Sequence, residues 1–311
     1  MRNLFDHRLL LLAGKGGVGR TTCAAVIACA AARLGKRVLL AQTNAPERLG
    51  RLLGHPTDIG PNVVPVRENI WAVNMNPRLA LREYVLQVLR YETIYNALFE
   101  NKAMRSFLGA FPGIDYWAML GKAWWHSTEM EKGKPRFDLV LLDGPASGHA
   151  LAMLRIPGAV QSTMPKGPLG RDAEKVHAFL LDPHLFSVVL VTLPEELPAR
   201  ETVVLSQALL AELRMPTGPL IVNGMPPAEA VDPSFIKLVE GSDAPLPNSH
   251  LVSILAGASV LAARRRDAEK IMASLSSKPG LPILELPKLP TNDLGPAEIE
   301  HLAGLLVAMT G

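Results

Sequence analysis

Hydrophobic positions in this chain follow two different rhythms. Short apolar runs, rich in Leu and Val, occur at Leu9–Ala13, Val38–Ala41, Leu139–Leu142, Val188–Val191, Leu220–Val222 and, broken only by Glu285, Ile283–Leu286. A strand with one wet face alternates apolar and polar residues. Runs without that alternation predict strands buried on both faces, as in a parallel sheet covered by helices. Helical stretches lie between the runs, and the alternation predicts an α/β fold with a doubly wound, mostly parallel sheet. Ligands in that architecture collect beyond the C-terminal ends of the strands. The segments to weigh are therefore Gly14 onward, Gln42 to Glu47, Asp143 to His149, Thr192 to Glu195, Asn223 and Pro287 to Asp293.

From Asn76 to Pro135 the rhythm changes. Leu79, Tyr84, Val85, Val88, Leu89, Ile94, Leu98, Phe99, Met104, Phe107 and Leu108 recur at three- and four-residue steps, as in amphipathic helices. Three of the four tryptophans (Trp117, Trp124, Trp125) follow within nine residues. These helices either pack on themselves and the sheet, or present their aromatics and Met119 to a partner. Residues 153–182 carry Pro157, Pro165 and Pro168 and are expected to cross the top of the sheet as an irregular segment. The chain thus divides into one core (1–76, 136–152 and 183–311), a helical subdomain (77–135) and that crossing segment.

The chemistry starts after the first apolar run, at Gly14-Lys15-Gly16-Gly17-Val18-Gly19-Arg20-Thr21-Thr22. A buried strand, a glycine-rich turn and an alanine-rich helix form the layout of a phosphate-binding loop. Glycines let the backbone wrap an anion, and the helix N-terminus adds its positive dipole end. The general pattern G-x-x-x-x-G-K-[ST] fails only where Arg20 replaces lysine, and Lys15 is a basic residue that an ordinary loop lacks. Asp143 closes a strand that reads Leu139-Val140-Leu141-Leu142, which is where phosphate-loop enzymes hold Mg²⁺ through water. The glycines of Gly144-Pro145-Ala146-Ser147-Gly148-His149 suit a loop that rearranges with nucleotide state. Across the cleft, Asn44 stands where a water-positioning residue belongs, and an amide cannot take a proton. Glu47 could, but at an unexpected spacing.

Composition narrows the setting without deciding it. The 311 residues are 48% hydrophobic and 20% charged, with a net charge of +3. That balance gives no reason to expect nucleic acid. Arg264-Arg265-Arg266 is followed by Asp267, Glu269 and Lys270, so a solvated helix face is the simpler reading. Cys23 and Cys29 lie six residues apart on one predicted helix and cannot bridge, which fits a reducing, cytoplasmic setting. The stretch before residue 9 does not resemble a secretory leader, and the longest apolar run, Cys23 to Ala32, is too short to span a membrane.

The loop matches G-K-G-G-V-G-K-T-T at eight of nine positions. With it, the chain resembles the arsenite-pump and tail-anchored-protein-targeting ATPases, the anion-transporting ATPase family, within the SIMIBI-type class of deviant phosphate-loop proteins. Asp143 to His149 resembles the family's D-T-A-P-T-G-H, and Pro112 to Asp115 its P-G-I-D-E with Tyr116 in place of the glutamate. Asn223 resembles its adenine-contacting asparagine, and Leu286-Pro287-Lys288-Leu289-Pro290 its adenine loop. Gly167 to Arg171 and Thr192 to Pro198 are similar to its bacterial branch, whose members can pair as unequal subunits.

The resemblance implies ATP or ADP with Mg²⁺ as ligands. Backbone amides of Gly16, Gly17, Val18, Gly19, Arg20 and Thr21 would cradle the phosphates. Thr21 and Asp143 would hold Mg²⁺, Thr22 would contact the α-phosphate, and Asn223, Pro287 and Leu289 would receive the base. Lys15 would reach a second subunit's nucleotide, implying a homodimer or a heterodimer with a paralogous ATPase. The departures are Asn44, where the family's D-P-A motif has its catalytic aspartate, and Arg20 for the loop lysine. Loss of a general base costs ~10²–10⁴ in rate, and a planar guanidinium does not replace an ammonium at a phosphate. The expectation is an ATP-driven dimeric switch with slow hydrolysis that serves a hydrophobic protein client. A catalytically inactive subunit paired with an active paralogue is the alternative. The predicted C-terminal helix, with Glu298 and Glu300 and no lysine or arginine between Ala297 and Met309, speaks against a basic membrane anchor.

Overall fold

The computed structural model describes residues 4–43, 48–89, 113–163, 165–166, 168–227, 249–277, 280–291 and 293–310. An eight-stranded sheet organises them, with spatial order β10-β9-β8-β1-β7-β2-β4-β3. Its strands are β1 (Leu9–Ala13), β2 (Val38–Thr43), β3 (Val64–Arg67), β4 (Ile70–Met75), β7 (Leu139–Asp143), β8 (Phe186–Thr192), β9 (Thr217–Met225) and β10 (Ile283–Pro287). A short hairpin, β5 (Met130–Glu131) and β6 (Lys134–Pro135), stands apart. All the pairings in the large sheet are parallel except β3 with β4. The doubly wound α/β reading holds.

Helices cover both faces. On one lie α1 (Arg20–Arg33), α2 (Leu49–Leu53) and α9 (Pro296–Thr310). On the other lie α4 (Ile114–Thr128), α5 (Ser147–Thr163), α6 (Pro168–Leu181), α7 (Glu196–Gln207) and α8 (Ser249–Ser277). The helix α3 (Pro77–Leu89) packs on α4, where the Tyr84 and Trp117 rings meet edge to face at 6.0 Å. Helix α1 is buried from Cys23 to Ala31 because its Ala and Cys side chains let α9 and the sheet approach closely. Both cysteines are free, buried thiols. The helix stops at Leu34, where Gly35 takes a positive φ and its N–H returns to the Ala32 carbonyl.

Three differences from the pattern-based expectation have physical causes. First, the sheet continues past β2 into two further strands. Of these, β3 is an edge strand that alternates Val with Pro65 and Arg67, whereas β4, paired on both sides, carries an apolar run at Ile70–Val73 that the pattern-based reading did not single out. Second, residues 153–182 are not an irregular crossing. They are largely the end of α5 and the whole of α6 (Pro168–Leu181). Pro168 occupies the first position of α6, where the missing N–H costs nothing. Pro157 lies inside α5, held there by burial of Met153, Leu154, Ile156 and Val160 against the core. Third, the expected helical subdomain contains the β5–β6 hairpin, and much of it (residues 90–112) lies outside the described residues. The Arg264–Arg266 run lies on α8 with Arg265 paired to Glu269 and Lys270 to Asp267, as a solvated face should be. No helix among the described residues is long and apolar enough to cross a membrane.

Candidate phosphate-binding site

Strand β1 lies between β7 and β8, so the chain leaves it toward β2 on one side and later reaches β8 on the other. That reversal opens a crevice at the C-terminal end of β1, and the glycine loop fills it. Gly17 and Gly19 have φ of 87° and 85°. A Cβ on Gly19 would lie 2.2 Å from Asn223 Nδ2, and one on Gly14 would lie 2.2 Å from the Val191 carbonyl oxygen. Neither contact is possible for a real side chain, so the loop's path requires glycine at both positions. Gly19 is also the N-cap of α1 and supplies no capping side chain, so the first-turn amides face the loop without a side-chain acceptor.

The loop is tied to its surroundings by a few specific contacts. Ser147 N–H donates to the Gly14 carbonyl at 3.1 Å, which fastens the segment after β7 to the glycine turn. Asn223 Nδ2 donates to the Val18 carbonyl at 3.0 Å, so the end of β9 braces the loop from the other side. Pro287 closes β10, and Lys288 N–H bonds the Met225 carbonyl at 2.7 Å. Leu289 packs against the apolar cluster on the α1 face.

Thr21 and Asp143 meet beneath the loop. The Thr21 hydroxyl donates to Asp143 Oδ2 at 2.6 Å. Asp143 is buried, and burial pushes its carboxyl above the usual carboxylate range, against the opposing pull of the Thr21 hydrogen bond and the Arg20 charge. Arg20 is half-buried, and burial works against its charge while Asp143 supports it. Its Nη1 is buried with no hydrogen-bond partner among the described residues. Thr22 is half-buried in the next position of α1.

Among the described residues no group of three or more His, Cys, Asp or Glu side chains is arranged to hold a metal ion. A hydroxyl and one carboxylate are nevertheless what Mg²⁺ uses when phosphate oxygens and water complete its shell. The orphaned guanidinium nitrogen and the glycine-lined turn fit an anion. The residues present therefore fit a magnesium–phosphate ligand.

Lys15 takes a different position from its loop neighbours. Its ammonium donates to Glu201 Oε1 of α7 at 2.7 Å. Asn44 and Glu47 lie outside the described residues. Sequence reasoning missed Glu201, which is 186 residues away from Lys15 and carries no local signal. It named Gln42 within the segment after the second apolar run but gave it no role, although a polar residue near the end of a buried strand was the signal available. A further unforeseen contact joins the two remaining motifs. Tyr116 on α4 lies with its Oη 2.7 Å from His149 Nδ1 on α5.

Comparison with known proteins agrees with this geometry. A family model described as anion-transporting ATPase matches residues 7–167. The chain is 29% identical over 252 residues to ATPase BagA of Mycobacterium tuberculosis, covering 75% of this chain and 70% of that one. It is 26% identical over 251 residues to ATPase GET3 of Kluyveromyces lactis, covering 70% and 72%. A glycine loop at the sheet's switch point, Thr21 on Asp143, and a match over more than half the chain lead to one conclusion: this protein belongs to the anion-transporting ATPase family.

Proposed function

We propose that the protein is an ATP-dependent molecular switch in which Mg²⁺ and nucleotide bring two subunits together around the glycine loops. The observation that carries this reading is the 2.6 Å contact between Thr21 and Asp143 under a loop that only glycine can build. Magnesium would supply charge neutralisation at the β- and γ-phosphates. Thr21 and Asp143 would hold it, amides of residues 16–21 would hold the phosphates, and Thr22 would reach the α-phosphate. Asn223, Pro287 and Leu289, at the ends of β9 and β10, suit the base side of the crevice. Ser147 N–H on the Gly14 carbonyl gives the segment after Asp143 a direct link to the loop. A phosphate-dependent shift of the loop would therefore move the start of α5.

Hydrolysis in this reading is slow. Asn44 offers no base, and Arg20 brings a wide fork to a position shaped for a point charge. Client binding would fall to α3 and α4. Between them lies a cavity of about 360 Å³ lined by Ala80, Tyr84, Leu86, Gly121 and Trp125 together with the ion pair Glu83–Lys122. An apolar segment of another protein suits such a lining.

The test is a binding titration with ATP and ADP, with and without Mg²⁺, followed by light scattering of the same samples. Micromolar affinity, strengthened by Mg²⁺, with a doubled mass in Mg-ATP is the expected result. A protein that binds nucleotide but stays monomeric overturns the dimeric switch.

A further inference from the structure

We propose that Gln42 is a positioning residue for the magnesium–nucleotide complex, holding the water shell between Asp143 and the metal; this rests on the reading above. The placement follows from the pleat of two neighbouring strands. On β2, Leu39 and Ala41 belong to the core cluster on the α4 face, whereas Val38 and Leu40 belong to the cluster on the α1 face. Gln42 therefore projects toward α1. On β7 the same alternation puts Leu139 and Leu141 on the α1 face, and Asp143 with them. Gln42 and Asp143 are direct cross-strand partners. Both side chains thus stand side by side beneath the start of α1, where Thr21 already holds one Asp143 oxygen.

Gln42 is fully buried, at 0% exposure, yet neither its amide nitrogen nor its amide oxygen has a hydrogen-bond partner among the described residues. Its carboxamide faces Asp143 closely enough to favour the charged carboxylate, without reaching full hydrogen-bond geometry. Arg20 Nη1, beside the same carboxylate, is buried and unpartnered as well. Buried polar atoms are almost always paired, so three orphans around one carboxylate mark a place that a polar ligand and its water complete. An apolar side chain of similar size at position 42 would satisfy the core equally well, so packing alone does not account for the amide.

The chemistry of the carboxamide defines the role. It has one acceptor and two donors and does not titrate, so it can fix water but cannot deprotonate it. Its oxygen can accept from a metal-bound water while its nitrogen donates toward Asp143 or a phosphate-bound water. Groups that orient a metal's ligands in this way typically change metal affinity ~10–100-fold.

The experiment uses the full chain and near-isosteric Gln42→Met. Nucleotide affinity is measured by calorimetry with ADP in EDTA, and Mg²⁺ is then titrated at fixed ADP. The expected result is a Mg²⁺ half-saturation raised about tenfold, with metal-free ADP affinity unchanged and thermal stability equal or higher. Gln42→Glu provides a second readout. An extra carboxylate beside Asp143 should preserve Mg²⁺ coupling at high pH and lose it at a higher pH than the wild type does. Wild-type coupling with an unaltered Mg²⁺ half-saturation in Gln42→Met and an unshifted pH profile in Gln42→Glu overturns the role of Gln42. Absence of any ADP binding by the wild-type chain overturns instead the functional reading on which it rests.

Discussion

Lys15 Nζ lies 2.7 Å from Glu201 Oε1, so the loop's extra lysine is engaged within its own subunit. Both side chains are substantially exposed, at 29% and 37%. A pair in that setting contributes only ~0–1 kcal/mol, which a second subunit's phosphates could readily exceed. In the proposed dimer, Glu201 would act as a weak holder that Lys15 leaves to reach the second subunit.

Glu201→Gln tests that competition. Removing the carboxylate frees Lys15, and self-association in Mg-ATP is expected to strengthen by up to about fivefold, the equivalent of ~1 kcal/mol. Sedimentation equilibrium across protein concentrations reads it. Weakened association would mean that Glu201 supports the interface and does not restrain it.

Asn44→Asp restores a carboxylate at the position where this sequence has an amide. Steady-state phosphate release should rise by ~10²–10⁴, with a further gain when Arg20→Lys is added. Family-like turnover in the unmodified chain would remove the case for a weakened site.

Asp143→Asn separates metal binding from stability by their opposite signs. Burial raises the Asp143 pKa in the folded state. The group therefore favours folding below its unfolded pKa, and that benefit is lost as pH rises through the folded value. At neutral pH the neutral amide should raise Tm relative to the wild type. The advantage should shrink as pH falls toward the carboxylate range, and Mg²⁺ should no longer strengthen nucleotide binding. A Tm difference constant from pH 4 to pH 8 would show that burial does not control this carboxyl.

Gly19→Ala places a methyl group where Asn223 Nδ2 stands 2.2 Å away, at a φ of 85°. Strain of that kind costs about 1–3 kcal/mol, to be read from a lowered urea midpoint. Nucleotide binding should be lost with it, because the first turn of α1 must shift.

Tyr116→Phe removes the 2.7 Å contact to His149. Stability should fall by only ~0.5–1.5 kcal/mol, and nucleotide affinity should stay within about twofold, since the tyrosine does not touch the loop. Hydrogen exchange in α4 should respond less to Mg-ATP than it does in the wild type. An unchanged response would mean that α4 is informed by another route.

The strands β1, β2, β7 and β8 and the centre of β9 were legible because a strand covered on both faces must be apolar at every position, and that signature is local. The edge strand β10, which carries the exposed Glu285, was found on its Ile, Leu and Leu alone. The glycine loop was legible too, because a turn wrapped on an anion needs glycines at fixed offsets from its strand and helix. The strands β3 and β4 and the proline-bearing helices α5 and α6 were not read. The edge strand β3 needs no apolar run, β4 has one at Ile70–Val73 that was passed over, and burial of Met153, Leu154, Ile156 and Val160 outweighs what Pro157 disfavours locally.

By itself the sequence determined the sheet type, the place of the loop and the chemical oddity of Arg20 and Asn44, all of which depend on neighbours a few residues apart. Tertiary structure alone decided that Lys15 meets Glu201, that Tyr116 meets His149 and that Gln42 is the cross-strand neighbour of Asp143. Those relationships join residues dozens to nearly two hundred positions apart. They depend on strand order and register, which no local pattern encodes.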